Sequence, residues 1–143
     1  MELGRLDHIG VGVKDLEATI ALYESTLGGQ VRSRHPNFHG ELDAAFVVVR
    51  DSVIEFLSPL REESVMGRFL KRHGEGLHHL AYQVEDIRAA VKDLVEAGLQ
   101  PLDEEPRPGI LGDLIFFFHP KSTSGVLLEL VETPPERQPP PDL

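Results

Sequence analysis

The chain repeats itself, and no other feature narrows its possible folds as much. Leu6 to Val31 reads LDHIGVGVKDLEATIALYESTLGGQV, and Leu77 to Pro101 reads LHHLAYQVEDIRAAVKDLVEAGLQP. Setting Leu6 on Leu77 places His8 on His79, Val13 on Val84, Asp15 on Asp86 and Leu16 on Ile87. One single-residue gap then puts Gly28 on Gly98. Each copy begins with a short β-rich run that ends at an aspartate. That side chain can cap a helix by accepting hydrogen bonds from the exposed N–H groups of its first turn. Each helix runs to a glycine suited to the left-handed conformation past the C-terminus. Leu16, Ile20 and Tyr23 recur at helical spacing, as do Ile87, Val91 and Leu94, so one stripe of each helix is expected to be buried.

The segments after each helix match as well. Gln30 to Arg34 and Leu99 to Leu102 each supply one expected strand. Ala44 to Val49 and Val53 to Leu57 follow as two strands around a turn at Arg50-Asp51-Ser52. Leu114 to Phe118 and Val126 to Val131 do the same around an HPKSTSG loop. Each half is a βαβββ module, and neither half alone is large enough to bury its sheet. The fold class is therefore α+β, with two tandem βαβββ modules over about residues 5–60 and 76–132 of a single domain, 1–132. Between them Met66, Phe69 and Leu70 share one helical face, marking a bridging helix over about 62–73. The tail, 133–143, is rich in proline and charge and is expected to be disordered or extended.

Composition removes several functions. Lysine plus arginine number 14 against 24 acidic residues, a formal charge of -10, which argues against nucleic acid as a partner because phosphate binding needs a basic face. With no cysteine, disulfides, thiolate metal sites and a cysteine nucleophile are all excluded. No apolar run reaches membrane-spanning length and the N-terminus has no signal-type apolar stretch, so a soluble cytoplasmic protein is expected, without membrane contact.

A metal site in such a chain must use imidazole and carboxylate, which suits hard and borderline divalent ions. Side chains alternate across a strand. In the first strand of the first half, Ile9, Val11 and Val13 alternate with His8, Gly10 and Gly12; in the second half, Leu80, Tyr82 and Val84 alternate with His79, Ala81 and Gln83. The branched and aromatic set should face the helix, leaving each histidine on the other side among small or polar neighbours. In each last strand one carboxylate interrupts an apolar run: Glu55 in VIEFL and Glu129 in VLLELV. A carboxylate placed there is costly unless paired or bound to a cation. His8 precedes Glu55 by 47 residues and His79 precedes Glu129 by 50. Two modules related by a pseudo-twofold axis would gather His8, Glu55, His79 and Glu129 at one divalent ion. An all His/Glu set with room for water or substrate fits a catalytic site better than a closed structural one. Of the other histidines, His78 is expected to point away from the site in a structural role. His35, His39 and His73 fall in expected turns or on the bridging helix and read as exposed. His119 ends a strand before Pro120, where it would line a cavity mouth or not with equal weight.

Four stretches together carry a family likeness: LDHIGVGVKDLE, IEFLSPL with the bridging helix, GEGLHHLAYQVEDI, and DEEPRPGILGDLIFFFHPKSTSGVLLEL with its HPKS-x-x-GVL-x-EL core. They span nearly the whole chain except the tail. The chain resembles the vicinal oxygen chelate superfamily, and within it is similar to the methylmalonyl-CoA epimerases, the HPKS stretch being the specific part. The resemblance implies a glyoxalase-like curved mixed sheet around a metal-centred cavity, with His8, Glu55, His79 and Glu129 in the ligand positions. Position 55 is glutamine in some of these enzymes, so a carboxylate there alters the charge of the site. The implied metal is cobalt by family precedent, with zinc, manganese, nickel or iron also suited to the donor set.

The implied reaction inverts the carbon between a thioester and a carboxylate of an acyl-CoA substrate, through an enolate stabilised by the metal. Glu129 would be one acid/base. Asp43, three residues after Gly40, lies where some epimerases carry a catalytic glutamate and is the implied second. For coenzyme A, Lys121, Ser122 and the glycine turn around Gly109 and Gly112 are available, and read equally well as ordinary loop residues. The same four ligands would serve a lactoylglutathione lyase, and a non-catalytic small-molecule-binding protein of this fold is a further alternative. The family is commonly dimeric, so a homodimer is expected.

Overall fold

The computed structural model describes residues 1–133, so the proline-rich tail lies outside the described residues except for Thr133. Along the described chain run β1 (Leu6–Gly12), α1 (Leu16–Thr26), β2 (Gln30–Phe38), β3 (Leu42–Val49), β4 (Ser52–Pro59) and α2 (Val65–His73). Then come β5 (Gly76–Val84), α3 (Ile87–Glu96), β6 (Arg107–Pro108), β7 (Leu114–Phe118) and β8 (Leu127–Glu132). The predicted α+β class and the tandem βαβββ order are both present, with α2 as the bridging helix. Among the described residues no helix is long and apolar enough to cross a membrane.

Two compact units make up the described chain: His8–His79, and Met1–Asp7 with the chain from Leu80 onward. The division falls inside β1 and β5 because the N-terminal residues pair with β5. Gly4 donates its N–H to the Gln83 carbonyl at 2.8 Å, the Gln83 N–H returns to Arg5 at 2.8 Å, and the Gln83 amide reaches Asp7 at 3.0 Å.

In the His8–His79 unit the strands lie in the order β2-β3-β4-β1, with β1 parallel to β4 and the other pairs antiparallel. Asp15 caps α1 by accepting the Ala18 N–H at 3.0 Å. Val11, Val13, Ala45, Val47, Ile54 and Phe56 then close on Leu16, Ile20 and Tyr23, the predicted helical stripe. Ile20 and Phe56 are fully buried, and side chains of that size each contribute about 1.5–3 kcal/mol of apolar burial. Strand alternation sends His8, Gly10, Ala44, Phe46 and Glu55 to the opposite face. Ser64 starts α2 by accepting from Gly67 at 3.1 Å, and position 67 must be glycine because a Cβ would stand 2.4 Å from two backbone carbonyl oxygens. Just before it, exposed Arg61 is clasped by Glu41 at 2.6 Å and Glu63 at 3.0 Å, and Glu41 above all raises its pKa.

The other unit orders its strands β5-β8-β7-β6. Asp86 caps α3 through Ala89 N–H at 3.1 Å, and the Ile87 N–H finds a second carboxylate, Glu132, at 2.8 Å. Val84, Ile87, Ala90, Phe116, Phe118 and Leu130 form its core. On the far face Ala81, Ile115 and Val131 pack with Phe117.

One expected strand is not formed. Leu99 to Leu102 keeps only a single bridge, Pro101 to Phe118, and the edge strand appears later as Arg107–Pro108. Pro101 has no N–H to continue a ladder. The Phe117 N–H is instead taken by the Asp103 side chain at 2.8 Å. In the first module the corresponding strand runs longer than expected, to Phe38 rather than Arg34.

Candidate metal centre

Within the His8–His79 unit three of the expected ligands meet. The parallel register sets Gly10 beside Glu55, and the antiparallel register sets Phe46 across from the same residue. His8, two residues before Gly10, shares that face. His8 Nε2 stands 3.7 Å from Glu55 Oε1, His79 Nε2 stands 3.4 Å from the same oxygen, and the two Nε2 atoms are 3.1 Å apart. All three side chains are buried, with 6% of His8, 6% of Glu55 and 2% of His79 exposed. Phe46 presents its edge to the His8 ring, the centroids 5.4 Å apart at 86°.

Gly10 makes room for this arrangement. A Cβ at position 10 would lie 2.0 Å from His79 Cε1, 2.2 Å from Nδ1 and 2.6 Å from Nε2. No rotamer of a non-glycine residue avoids that collision, so the strand gives up a side chain where the imidazole needs the space. The glycines visible in LDHIGVG are thus part of the site.

The donor set fits a divalent metal ion. Bonds of about 2.0–2.2 Å place adjacent ligand atoms about 3–3.6 Å apart; the 3.1 and 3.4 Å separations fall in that range and the 3.7 Å one lies just beyond it. The other His79 nitrogen is already engaged, since His78 Nδ1 and His79 Nδ1 lie 2.8 Å apart. His79 Nε2, on the other side of the ring, faces His8 and Glu55. A ligand histidine held through its second nitrogen is the usual arrangement around bound metals. His78 is thus in contact with the His79 ring, and its own ring rests edge-on against Phe69 at 4.7 Å. This His-His-Glu group can bind a metal in chemical terms; the choice of ion does not follow from the donors.

Glu129 belongs to the other unit. On β8, Leu128 and Leu130 pack toward α3, so Glu129 takes the opposite face with Val131. It is 5% exposed and stands across from Phe117 in the β7–β8 register. That is the setting Glu55 has in its own unit, across from Phe46.

Asp43 lies on β3. Its partner in register is Ser58, and its strand neighbours of like parity, Ala45 and Val47, pack on α1. Its Oδ1 accepts the Asn37 N–H at 2.7 Å, at the β2 register shift between His35 and Phe38, where Asn37 takes φ 52°. Counting from Gly40 located the residue but not its face, and the face is the one away from His8 and Glu55. His35 departs from expectation. Rather than lying in an exposed turn, it sits half-buried within β2, paired with Ala44. Sequence reasoning passed over it because β2 was ended too early. His119 closes a tight turn by accepting the Lys121 N–H on Nδ1 at 3.0 Å. Ser122 accepts the Gln100 N–H at 3.0 Å, a structural task for a residue considered for coenzyme A.

Comparison with known proteins identifies relatives of the chain. Residues 7–118 match the Glyoxalase/Bleomycin resistance protein/Dioxygenase superfamily. The chain is 40% identical to the ethylmalonyl-CoA/methylmalonyl-CoA epimerase of Cereibacter sphaeroides, over 90% of this chain and 97% of that protein. It is 38% identical to the mitochondrial methylmalonyl-CoA epimerase of Homo sapiens, over 90% of this chain and 73% of the relative. A solved methylmalonyl-CoA epimerase in complex with methylmalonyl-CoA and NH4+ superposes with a TM-score of 0.88 at 37% identity, covering 96% of this chain and all 100% of that one.

Proposed function

The chain belongs to the glyoxalase/bleomycin resistance protein/dioxygenase superfamily, and from that footing we propose that it is an isomerase interconverting the (R) and (S) forms of methylmalonyl-CoA. The observation that carries this reading is the buried convergence of His8, Glu55 and His79, in a chain whose relatives bear that enzyme's name. We assign His8, Glu55, His79 and Glu129 as the ligands of one divalent ion. Cobalt is the first to try, before zinc, manganese, nickel and iron. Glu129 is included because it occupies in its module the position Glu55 occupies in the other, buried and opposite a phenylalanine. When bound, the ion supplies a Lewis acid for negative charge developing on a substrate oxygen.

The chain's own side chains do the remaining work. Inverting the carbon between a thioester and a carboxylate needs a proton removed on one face and another returned on the opposite face. The Glu129 carboxylate is one such carrier. Its apolar neighbourhood of Ile115, Phe117 and Val131 keeps bulk water from competing for that proton. Gly10 and Phe46 fix the two imidazoles, so the ligand atoms need not reorganise as substrate charge develops. We also propose a homodimer; light scattering on the eluted peak tests it, and a monomer at micromolar concentration speaks against it.

The test is proton exchange at the α-carbon. Metal-loaded protein is incubated with methylmalonyl-CoA in deuterated water, and deuterium uptake and loss of chirality are followed. Metal-dependent exchange with racemisation is expected, removed by EDTA and reduced more than about 100-fold by His79→Ala. A folded, metal-loaded protein that exchanges nothing overturns the reading. Ethylmalonyl-CoA is the second substrate to offer, since the Cereibacter relative is named for both.

A further inference from the structure

We propose that His35 is the second proton carrier of the inversion, serving the face of the α-carbon that Glu129 does not. The proposal rests on the epimerase reading above and names the group that reading leaves unassigned. On the ligand face of the His8–His79 unit, β3 offers Ala44, Phe46 and Val48, none of which ionises. Asp43 faces the other way. The next strand does offer an ionisable group. A register shift between Val31 and Ser33 changes which β2 side chains share the ligand face. Before it, Val31 pairs with Val47 and packs toward α1; after it, Ser33 pairs with Phe46 and His35 with Ala44. Arg34, between them, reaches back to Glu17 of α1 at 2.6 Å, confirming that its neighbours point the opposite way.

The Phe46 ring joins His35 to the metal ligands. Its centroid lies 5.4 Å from that of His8 and 5.7 Å from that of His35, edge-on in both cases at 86° and 87°. The His35 imidazole is therefore one phenyl ring away from a ligand imidazole, on the same face. Ser33 Oγ holds its Nε2 at 2.8 Å, which fixes the ring and leaves Nδ1 as the nitrogen for a substrate proton. The side chain is half-buried, screened enough to be directed and open enough to exchange its proton with water between turnovers. Histidine is also the side chain best able to accept and donate near neutral pH.

The proton inventory closes. Glu129 removes the α-proton of one epimer, and the C–H electron pair becomes the carbon–carbon π bond of an enolate with its charge on the thioester oxygen. Protonated His35 gives its proton to the opposite face, the π pair forms the new C–H bond, and the thioester carbonyl is restored. Glu129 ends protonated and His35 neutral; Glu129 then releases its proton to water and His35 takes one up, which resets the pair for another turnover in the same direction, while passage from the other epimer resets it directly.

The experiment offers each epimer separately to wild type and to His35→Gln, which keeps a side chain able to bond Ser33, in deuterated water. Epimerisation is expected to fall about 10²–10⁴-fold in His35→Gln. One epimer, the one deprotonated by Glu129, should still exchange its α-proton with retained configuration, and metal affinity should stay within about twofold of wild type. His35→Ala, with turnover partly restored by added imidazole, gives the same result independently of the glutamine. Wild-type epimerisation in both variants overturns the assignment of His35, as does a parallel loss of exchange from both epimers together with metal binding. Loss of one-face exchange in Asp43→Asn in place of His35→Gln overturns it as well. A wild-type protein that exchanges neither epimer overturns the epimerase reading itself, so the two failures are distinguishable.

Discussion

Phe46 stands across from Glu55 in the first module, and Phe117 stands across from Glu129 in the second, yet the two pairs have different neighbours. Phe46 is buried and touches two histidine rings. Phe117 is half-buried and carries the Arg107 guanidinium 5.7 Å from its ring centroid. The scaffold itself is copied closely. Asp15 and Asp86 cap their helices at φ/ψ of −128/100° and −131/101°. The departures fall at sites where chemistry is set. Gly10 gives way to Ala81 at the equivalent strand position, and Ala81 is fully buried against Ile115 and Val131. The long β2 with His35 corresponds to a stretch broken by Pro101. The repeat supplies the frame, and single-residue departures from it, such as Gly10 against Ala81, make room for the His79 ring beside His8 and Glu55.

That contrast can be broken at several points. Gly10→Ala should do the most damage, because its methyl group competes with the His79 ring, whereas the second module already holds alanine there. Metal affinity, read by titration calorimetry, should fall by about 10²-fold or more, the scale of loss when a site group is misplaced by an ångström. Wild-type affinity would mean that the ring has another place to go. Next, Phe46→Ala should lower unfolding free energy in urea by about 3–5 kcal/mol, as for a buried aromatic. Phe117→Ala should cost only about 1–2 kcal/mol, given its partial exposure and a surface cation–π contact. Equal losses would show that the two pairs share one environment after all. The smallest effect concerns the caps. Asp15→Ala should cost about 1 kcal/mol and Asp86→Ala less, since Glu132 still meets the N-terminus of α3 through Ile87. Thermal melts of the two variants would order them, and the reverse order would assign Glu132 no capping value.

Most of the frame was legible in the sequence because it depends on short-range periodicity. The alternation around His8 and the lone carboxylates in VIEFL and VLLELV fixed the face of each candidate ligand, and the helical stripes were those found in the two cores. What could not be read was register. The bulge between Val31 and Ser33 turns His35 onto the ligand face, and a bulge of this kind leaves little trace in residue type. The face of Asp43, the one it shares with Ala45 and Val47, is also set by register, since a one-residue difference in register exchanges the two faces of a strand. Leu99 to Leu102 was read as a strand, although Pro101 has no N–H to offer a ladder and the Asp103 side chain takes the Phe117 N–H.

The candidate ligands also bear on how the chain holds together. His8 and His79 are 71 residues apart and are carried by different strands, so an ion bound to both joins segments that an unfolded chain keeps far from one another. Such an ion binds the folded form in preference to the unfolded one. Free metal at 100 times its dissociation constant would add about 2.7 kcal/mol to stability by mass action alone. The melting temperature of this protein should therefore depend on the divalent ion in the buffer, making a thermal melt a measure of metal occupancy that requires no substrate.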